Sequence, residues 1–143
     1  MIENMTTVAT SVLEKIAQLA RWQKKTIVFL VDLLLCVQSI WIAYSLRIGV
    51  WVLWDIAVQK IVLVCLLTMI PVFILSGVYK AIFRYAGTGM MKTLVRAFII
   101  YSVVVGFVFI IVGVDGVPRT IGVIQPVVFF IMVGFVRAAA RYL

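Results

Sequence analysis

The sequence predicts an all-α membrane protein: four transmembrane helices in two antiparallel hairpins, preceded by an interfacial amphipathic helix. Three observations carry that expectation. The chain has 143 residues, of which 66% are hydrophobic and only 13% charged, and its mean hydropathy is +1.25. That is too little polar surface to cover a globule in water, since soluble chains are about half apolar. The apolar residues are gathered into runs near the length that a hydrocarbon core demands, about 20 residues for a helix. Finally, the cations stand at the ends of those runs. A formal charge of +8 would suggest nucleic acid in a soluble protein, but cations so placed have anionic lipid head groups as their nearer partner. No nucleic-acid partner is expected.

Residues 1–25 form an N-terminal cytoplasmic segment. Val8, Val12, Ile16 and Leu19 recur at helical spacing, with Glu14, Lys15, Gln18 and Arg21 off that face and Trp22 near its end. Such a pattern suits a helix lying in the membrane interface. The first apolar run is read as an anchor and not as a cleaved signal peptide. It is too long for a signal sequence, it contains Asp32, and Ala43-Tyr44-Ser45 is a poor cleavage site.

Residues 26–143 form the membrane domain, with spans over 26–46, 56–76, 97–114 and 120–136. The first two have the length of a full crossing, and Lys60 lies near enough to an end to snorkel. The last two are shorter and are separated by the turn Asp115-Gly116-Val117-Pro118-Arg119. Lys15, Arg21, Lys24, Lys25, Lys80, Arg84, Lys92, Arg96, Arg137 and Arg141 fall on one side of the membrane, against Arg47, Lys60 and Arg119 on the other. The positive-inside bias therefore places both termini, and the loop over 77–92, in the cytoplasm. That loop is expected to lie flat on the inner leaflet, with Lys80, Arg84 and Lys92 at the phosphates and Tyr79, Phe83 and Tyr85 at the head-group boundary.

Asp32 is the acid lying well within a span, and Cys36, Ser39 and Ala43 share its helical stripe. A carboxylate in hydrocarbon must turn to the bundle and find a cation, and Arg96, Arg137 and Arg141 lie at the same rim. A structural ion pair is preferred to a proton relay. Ser102, Gly106 and Gly113 on the third span, and Gly134 with Ala138 on the fourth, are expected to mark helix packing faces, because small residues let backbones approach. Pro71 and Pro126 each remove an intrahelical donor, which predicts kinks, with Thr68 covering the carbonyl opened near Pro71. Cys36 and Cys65 are expected as buried thiols without a disulfide framework. The stretch Gly87-Thr88-Gly89-Met90-Met91-Lys92 fits no phosphate-loop pattern. With no histidine, no paired carboxylates and no nucleophile beside a base in sequence, the chain offers no catalytic, cofactor or metal residues.

Three blocks, taken in order, resemble the N-terminal membrane domain of the membrane-bound nucleotide-sugar 4,6-dehydratase and epimerase family of bacterial polysaccharide biosynthesis. The first is DLLLCVQSIWIAYSLRIG, with Asp32 near its start and Ala43 and Arg47 near its end. The second is GVYKAIFRYAG, which supplies Gly77, Tyr79, Arg84 and Tyr85. The third is VPRTIGVIQPVVFFIMVGFVRAAARYL, which supplies Pro118, Arg119, Gly134, Arg137 and Arg141. The resemblance spans roughly residues 24–143. It implies the bacterial inner membrane and membrane glycosyltransferases as partners; a homo-oligomer is expected separately, through the small-residue faces. The resemblance also implies a following cytoplasmic Rossmann portion that binds NAD(P) and a UDP-sugar and removes water across carbons 4 and 6, or epimerises. The glycine fingerprint and the Tyr/Lys pair of that portion are absent here, so no catalytic residue carries over and the chain resembles the membrane domain alone. Two rival readings stand beside it. One is the similar membrane domain that precedes polyprenyl-phosphate phosphoglycosyl transferases. The other is a small proton-coupled transporter using Asp32.

Overall fold

A computed structural model describes residues 2–52, 54–84 and 87–142. The described residues are helical, with no strand among them. The elements are α1 (Ile2–Gln18), α2 (Arg21–Ile48), α3 (Ile56–Leu75), α4 (Val78–Arg84), α5 (Thr88–Gly106), a π-helical segment (Phe107–Val112) that continues α5, and α6 (Ile121–Tyr142). Arg21–Ile48, Ile56–Leu75, Thr88–Val112 and Ile121–Tyr142 are long and apolar enough to cross a membrane. Within the most apolar stretch of each, only 28–33% is buried inside the chain. Leu34, Leu63, Ile131 and Phe135 point outward, as helices solvated by lipid tails require.

The chain divides into two compact units, residues 1–31 and 32–143. In the first, α1 leaves Met5, Val8, Val12 and Leu13 uncovered; the side chain of Ile16 lies outside the described residues. The start of α2 is held by local bonds. Ala20 N–H donates to Gln23 Oε1 at 3.1 Å, one half of a capping box at the first turn, and Lys24 Nζ donates to the Ala17 carbonyl at 2.9 Å, where the negative end of the α1 dipole favours a cation.

In the second unit, glycine and aspartate punctuate the helices. Gly49 takes φ +78° and donates to the Ser45 carbonyl at 2.8 Å, which ends α2 in the left-handed conformation that glycine adopts without a Cβ penalty. The Asp55 carboxylate accepts the Ile56 amide at 2.7 Å and starts α3. Pro71 and Pro126 lie inside helices that continue through them. Thr68 does not cover the carbonyl that Pro71 deprives of a donor, since its hydroxyl donates to Val64 at 2.8 Å, its own preceding turn.

The third membrane helix begins at Thr88, nearer the N-terminus than the expected 97, and the fourth runs to Tyr142 instead of 136. Cations do not stop a helix at a membrane rim, because their stems stay apolar while the heads reach water. Lys92 and Arg96 are exposed on α5, and Ala138, Ala139 and Ala140 favour continuation of α6. The stretch over 77–92 is likewise not a flat loop. Gly77 turns the chain back at φ +71°, and α4 then packs on α3 and α5 through Val78 and Ala81, which are 1% and 4% exposed.

The core of this unit is aromatic. Phe73 and Phe129 stack with centroids 5.9 Å apart, and Phe98 and Tyr101 set their edges against Phe129 at 5.0 and 5.6 Å. Such ring contacts supply packing energy that lipid exclusion cannot. α5 and α6 approach closely at Gly106 and Gly122. A Cβ on Gly122 would lie 3.0 Å from Phe109 Cβ and 3.3 Å from Gly106 Cα.

Candidate functional site

Polar groups meet inside the second unit in two places, both on the face of α2 that carries Asp32, Cys36, Ser39 and Ala43, all buried. At the first, Arg137 Nη2 of α6 donates to Asp32 Oδ2 at 2.8 Å, with side chains only 8% and 3% exposed. Of the arginines at that rim, Arg137 is the one paired with Asp32. Tyr79 of α4 brings its hydroxyl to the same carboxylate, and burial, followed by the adjacent negative charge, raises its pKa well above the ordinary phenol value. Arg137 Nε is enclosed without an acceptor. The pair is thus a buried salt bridge with a phenol beside it.

At the second place, Tyr101 of α5 donates its hydroxyl to Gln125 Oε1 of α6 at 2.9 Å. Gln125 Nε2 in turn donates to Ser39 Oγ of α2 at 3.1 Å, and Ser39 donates to the Cys36 carbonyl at 2.6 Å. The bond from Ser39 to Gln125 and that from Asp32 to Arg137 climb α2 while descending α6, so these two helices run antiparallel. Gln125 Nε2 also lies 4.0 Å from Cys36 Sγ. An amide neither takes nor gives a proton near neutral pH, so this network gives the thiol no base.

The opposite ends of the spans are tied by cations. Arg47 Nε donates to Thr120 Oγ1 at 2.7 Å, and Lys60 Nζ donates to the Asp115 carbonyl at 3.0 Å. In the turn between them, Val117 N–H donates to the Val114 carbonyl at 3.0 Å, with Gly116 at φ +80° supplying the conformation such a turn needs at its third position. Trp41 Nε1 donates to the Val52 carbonyl, and its ring lies 5.2 Å from that of Trp51. Trp51 and Trp54 are exposed beside it, as aromatic residues at a membrane interface are.

The remaining residues singled out from sequence are dispersed. Lys80, Arg84, Arg119 and Arg141 are exposed, and Pro118 is half-buried in the turn before α6. Tyr85 and the side chain of Phe83 lie outside the described residues. Gly106 packs as small residues do, but Gly113 ends the π-helical segment at φ +74° and makes no helix crossing. Around Gly134 nothing lies within 4 Å of an added Cβ, and Ala138 is exposed, so these two mark no packing face within the chain. Ser102 is half-buried beside a trough between α5 and α6. Sequence reading missed Tyr101, Gln125 and Gly122. Gln125 carried a usable signal, a lone amide in an apolar run, which in hydrocarbon must find a partner.

The chain matches no known protein family. No curated protein and no solved structure matches it either. Two buried polar clusters, Asp32–Arg137 beside Tyr79 and Ser39–Gln125–Tyr101, fix the register of α2, α4, α5 and α6.

Proposed function

We propose that this chain is the membrane-anchoring domain of a nucleotide-sugar 4,6-dehydratase or epimerase. In this reading four spans form two antiparallel hairpins in the bacterial inner membrane, both termini are cytoplasmic, and α1 lies in the interface on its apolar face. The enzyme's NAD(P)-binding portion would follow α6. Its product would be released close to membrane glycosyltransferases that consume it.

One observation supports this reading above the others. Asp32 and Arg137 belong to the first and last of the family-like sequence blocks, and they are bonded at 2.8 Å. The salt bridge gives those distant marks a common physical purpose, which is to hold the first membrane helix against the last. It also weighs against a proton-coupled transporter, whose acid must exchange partners during its cycle, whereas Asp32 is 2% exposed and engaged by arginine. The Pro118-Arg119-Thr120 turn and the Gly134-x-x-Arg137 ending favour the dehydratase over the phosphoglycosyl transferase.

Expression of the gene's whole reading frame tests the proposal. Membranes should convert a UDP-N-acetylhexosamine to its 4-keto-6-deoxy product, or epimerise it, in an NAD(P)-dependent way. A reading frame that encodes no α/β portion beyond residue 143, or one that transfers a phosphosugar to polyprenyl phosphate, overturns it. A fluorescent reporter joined after Leu143 should glow and sediment with membranes; a soluble reporter overturns the anchor itself.

A further inference from the structure

Two troughs lie along the outer side of α5. The first, of about 580 Å³, is lined by Thr88, Met91, Lys92, Val95, Arg96 and Ile99 among others, residues that share one helix face. The second, of about 370 Å³, opens between α5 and α6 beside Ser102, Val103, Pro126 and Phe130. Val95 and Ile99 line both and form the ridge between them.

The chemistry changes along this surface. Thr88, Lys92 and Arg96 make one end hydroxylic and cationic, and beyond Arg96 the lining is apolar apart from Ser102. No acidic residue occurs between Asp55 and Asp115, so nothing in α4 or α5 neutralises that end, and the positive end of the α5 dipole adds to it. From Lys92 to Val103 the helix rises about 16 Å at 1.5 Å per residue, which matches one leaflet of a hydrocarbon core about 30 Å thick.

We infer that this surface is a docking site for one anionic diacyl phospholipid. Its phosphate lies on Lys92, Arg96 and the Thr88 hydroxyl, and its two acyl chains lie in the two troughs, either side of the Val95–Ile99 ridge. Charge selects this occupant. A second copy presenting the same face would set Lys92 and Arg96 against their own counterparts. A zwitterionic lipid would bring an ammonium group to two cations with no acid to receive it. The site is independent of which enzyme the domain anchors, and it requires only that the helices be solvated by lipid.

The test is native mass spectrometry of the full chain, delipidated in neutral detergent and titrated with phosphatidylglycerol or phosphatidylcholine. One tightly held phosphatidylglycerol is expected, with phosphatidylcholine weaker by more than about tenfold, as the loss of two surface cation contacts implies. Lys92→Gln/Arg96→Gln should remove that preference. Ile99→Trp, which fills the ridge without changing charge, should weaken phosphatidylglycerol several-fold. Lys15→Gln/Arg21→Gln, equal in charge change but on other helices, should leave it unaltered. Thermal melts confirm that each variant is folded, and if the double variant does not fold, Ile99→Trp decides. Equal retention of the two lipids, undiminished binding by the Lys92→Gln/Arg96→Gln or Ile99→Trp variant, or a ladder of equivalent adducts overturns the site. So does full displacement by equimolar polyprenyl phosphate, or disulfide-linked dimers formed in membranes through Val95→Cys, which would assign the surface to another lipid or to a second copy.

Discussion

Arg137 and Asp32 are separated by 105 residues in sequence and by 2.8 Å in space. Neither side chain retains appreciable contact with solvent. Removing one charge leaves the other enclosed without its partner, and such losses cost about 3–5 kcal/mol in buried pairs. Asp32→Asn and Arg137→Gln should therefore each lower the thermal midpoint in detergent substantially. The double variant should be less destabilised than the sum of the two, a coupling that a double-mutant cycle reads directly.

Gln125 bridges Tyr101 and Ser39. Replacing it by leucine takes the amide acceptor from the buried Tyr101 hydroxyl, whereas Ser39 loses a donor but keeps its bond to the Cys36 carbonyl. We expect Gln125→Leu to cost about 1 kcal/mol, the scale of interhelical hydrogen bonds in membranes, and Tyr101→Phe to cost less, since it removes one bond of the network and keeps the ring. Equilibrium unfolding in mixed micelles would measure both.

Glycine substitutions should separate the helix crossing from the outer face. Gly122→Ala drives a methyl to 3.0 Å from Phe109 Cβ and 3.3 Å from Gly106 Cα, and overpacking of this kind costs about 1–3 kcal/mol. Gly134→Ala meets nothing within 4 Å and should be neutral or slightly stabilising, because alanine is the better helix former. Melting of the two variants side by side checks this.

Cys36 and Cys65 are both 0% exposed, so a maleimide should fail to modify the folded chain and should modify it fully after denaturation. That silence makes engineered thiols informative. Under the proposed topology, Lys80→Cys should react with an impermeant reagent in inside-out vesicles and Asp115→Cys in intact spheroplasts; the reverse pattern would invert the orientation.

The membrane helices were legible because hydropathy accumulates over many residues, and each run is long enough for that total to dominate. Their ends were not. Lys92 and Arg96 look like loop residues to a hydropathy window, although α5 carries both. Asp32 was conspicuous as an acid in an apolar run, and the cations at its rim could be named, but selecting Arg137 required the position of α6. The small residues misled for a related reason. A lipid-facing surface and a helix-facing surface are both apolar, so Gly134 and Ala138 gave the same signal as Gly106, and only the fold distinguishes them. The π-helical segment, held by the Gly113 amide bonded to the Val108 carbonyl at 2.8 Å, had no compositional mark in Phe107–Val112.

The separation of Asp32 and Arg137 also sets an order of events during synthesis. Ribosomes add about 5–20 residues per second, so the 105 residues between the two take roughly 5 to 20 seconds to emerge. Throughout that interval the carboxyl must enter the bilayer before its counter-ion has been translated, and protonation or the nearby aqueous boundary must accommodate it. The ion pair closes only when α6 arrives and delivers the guanidinium.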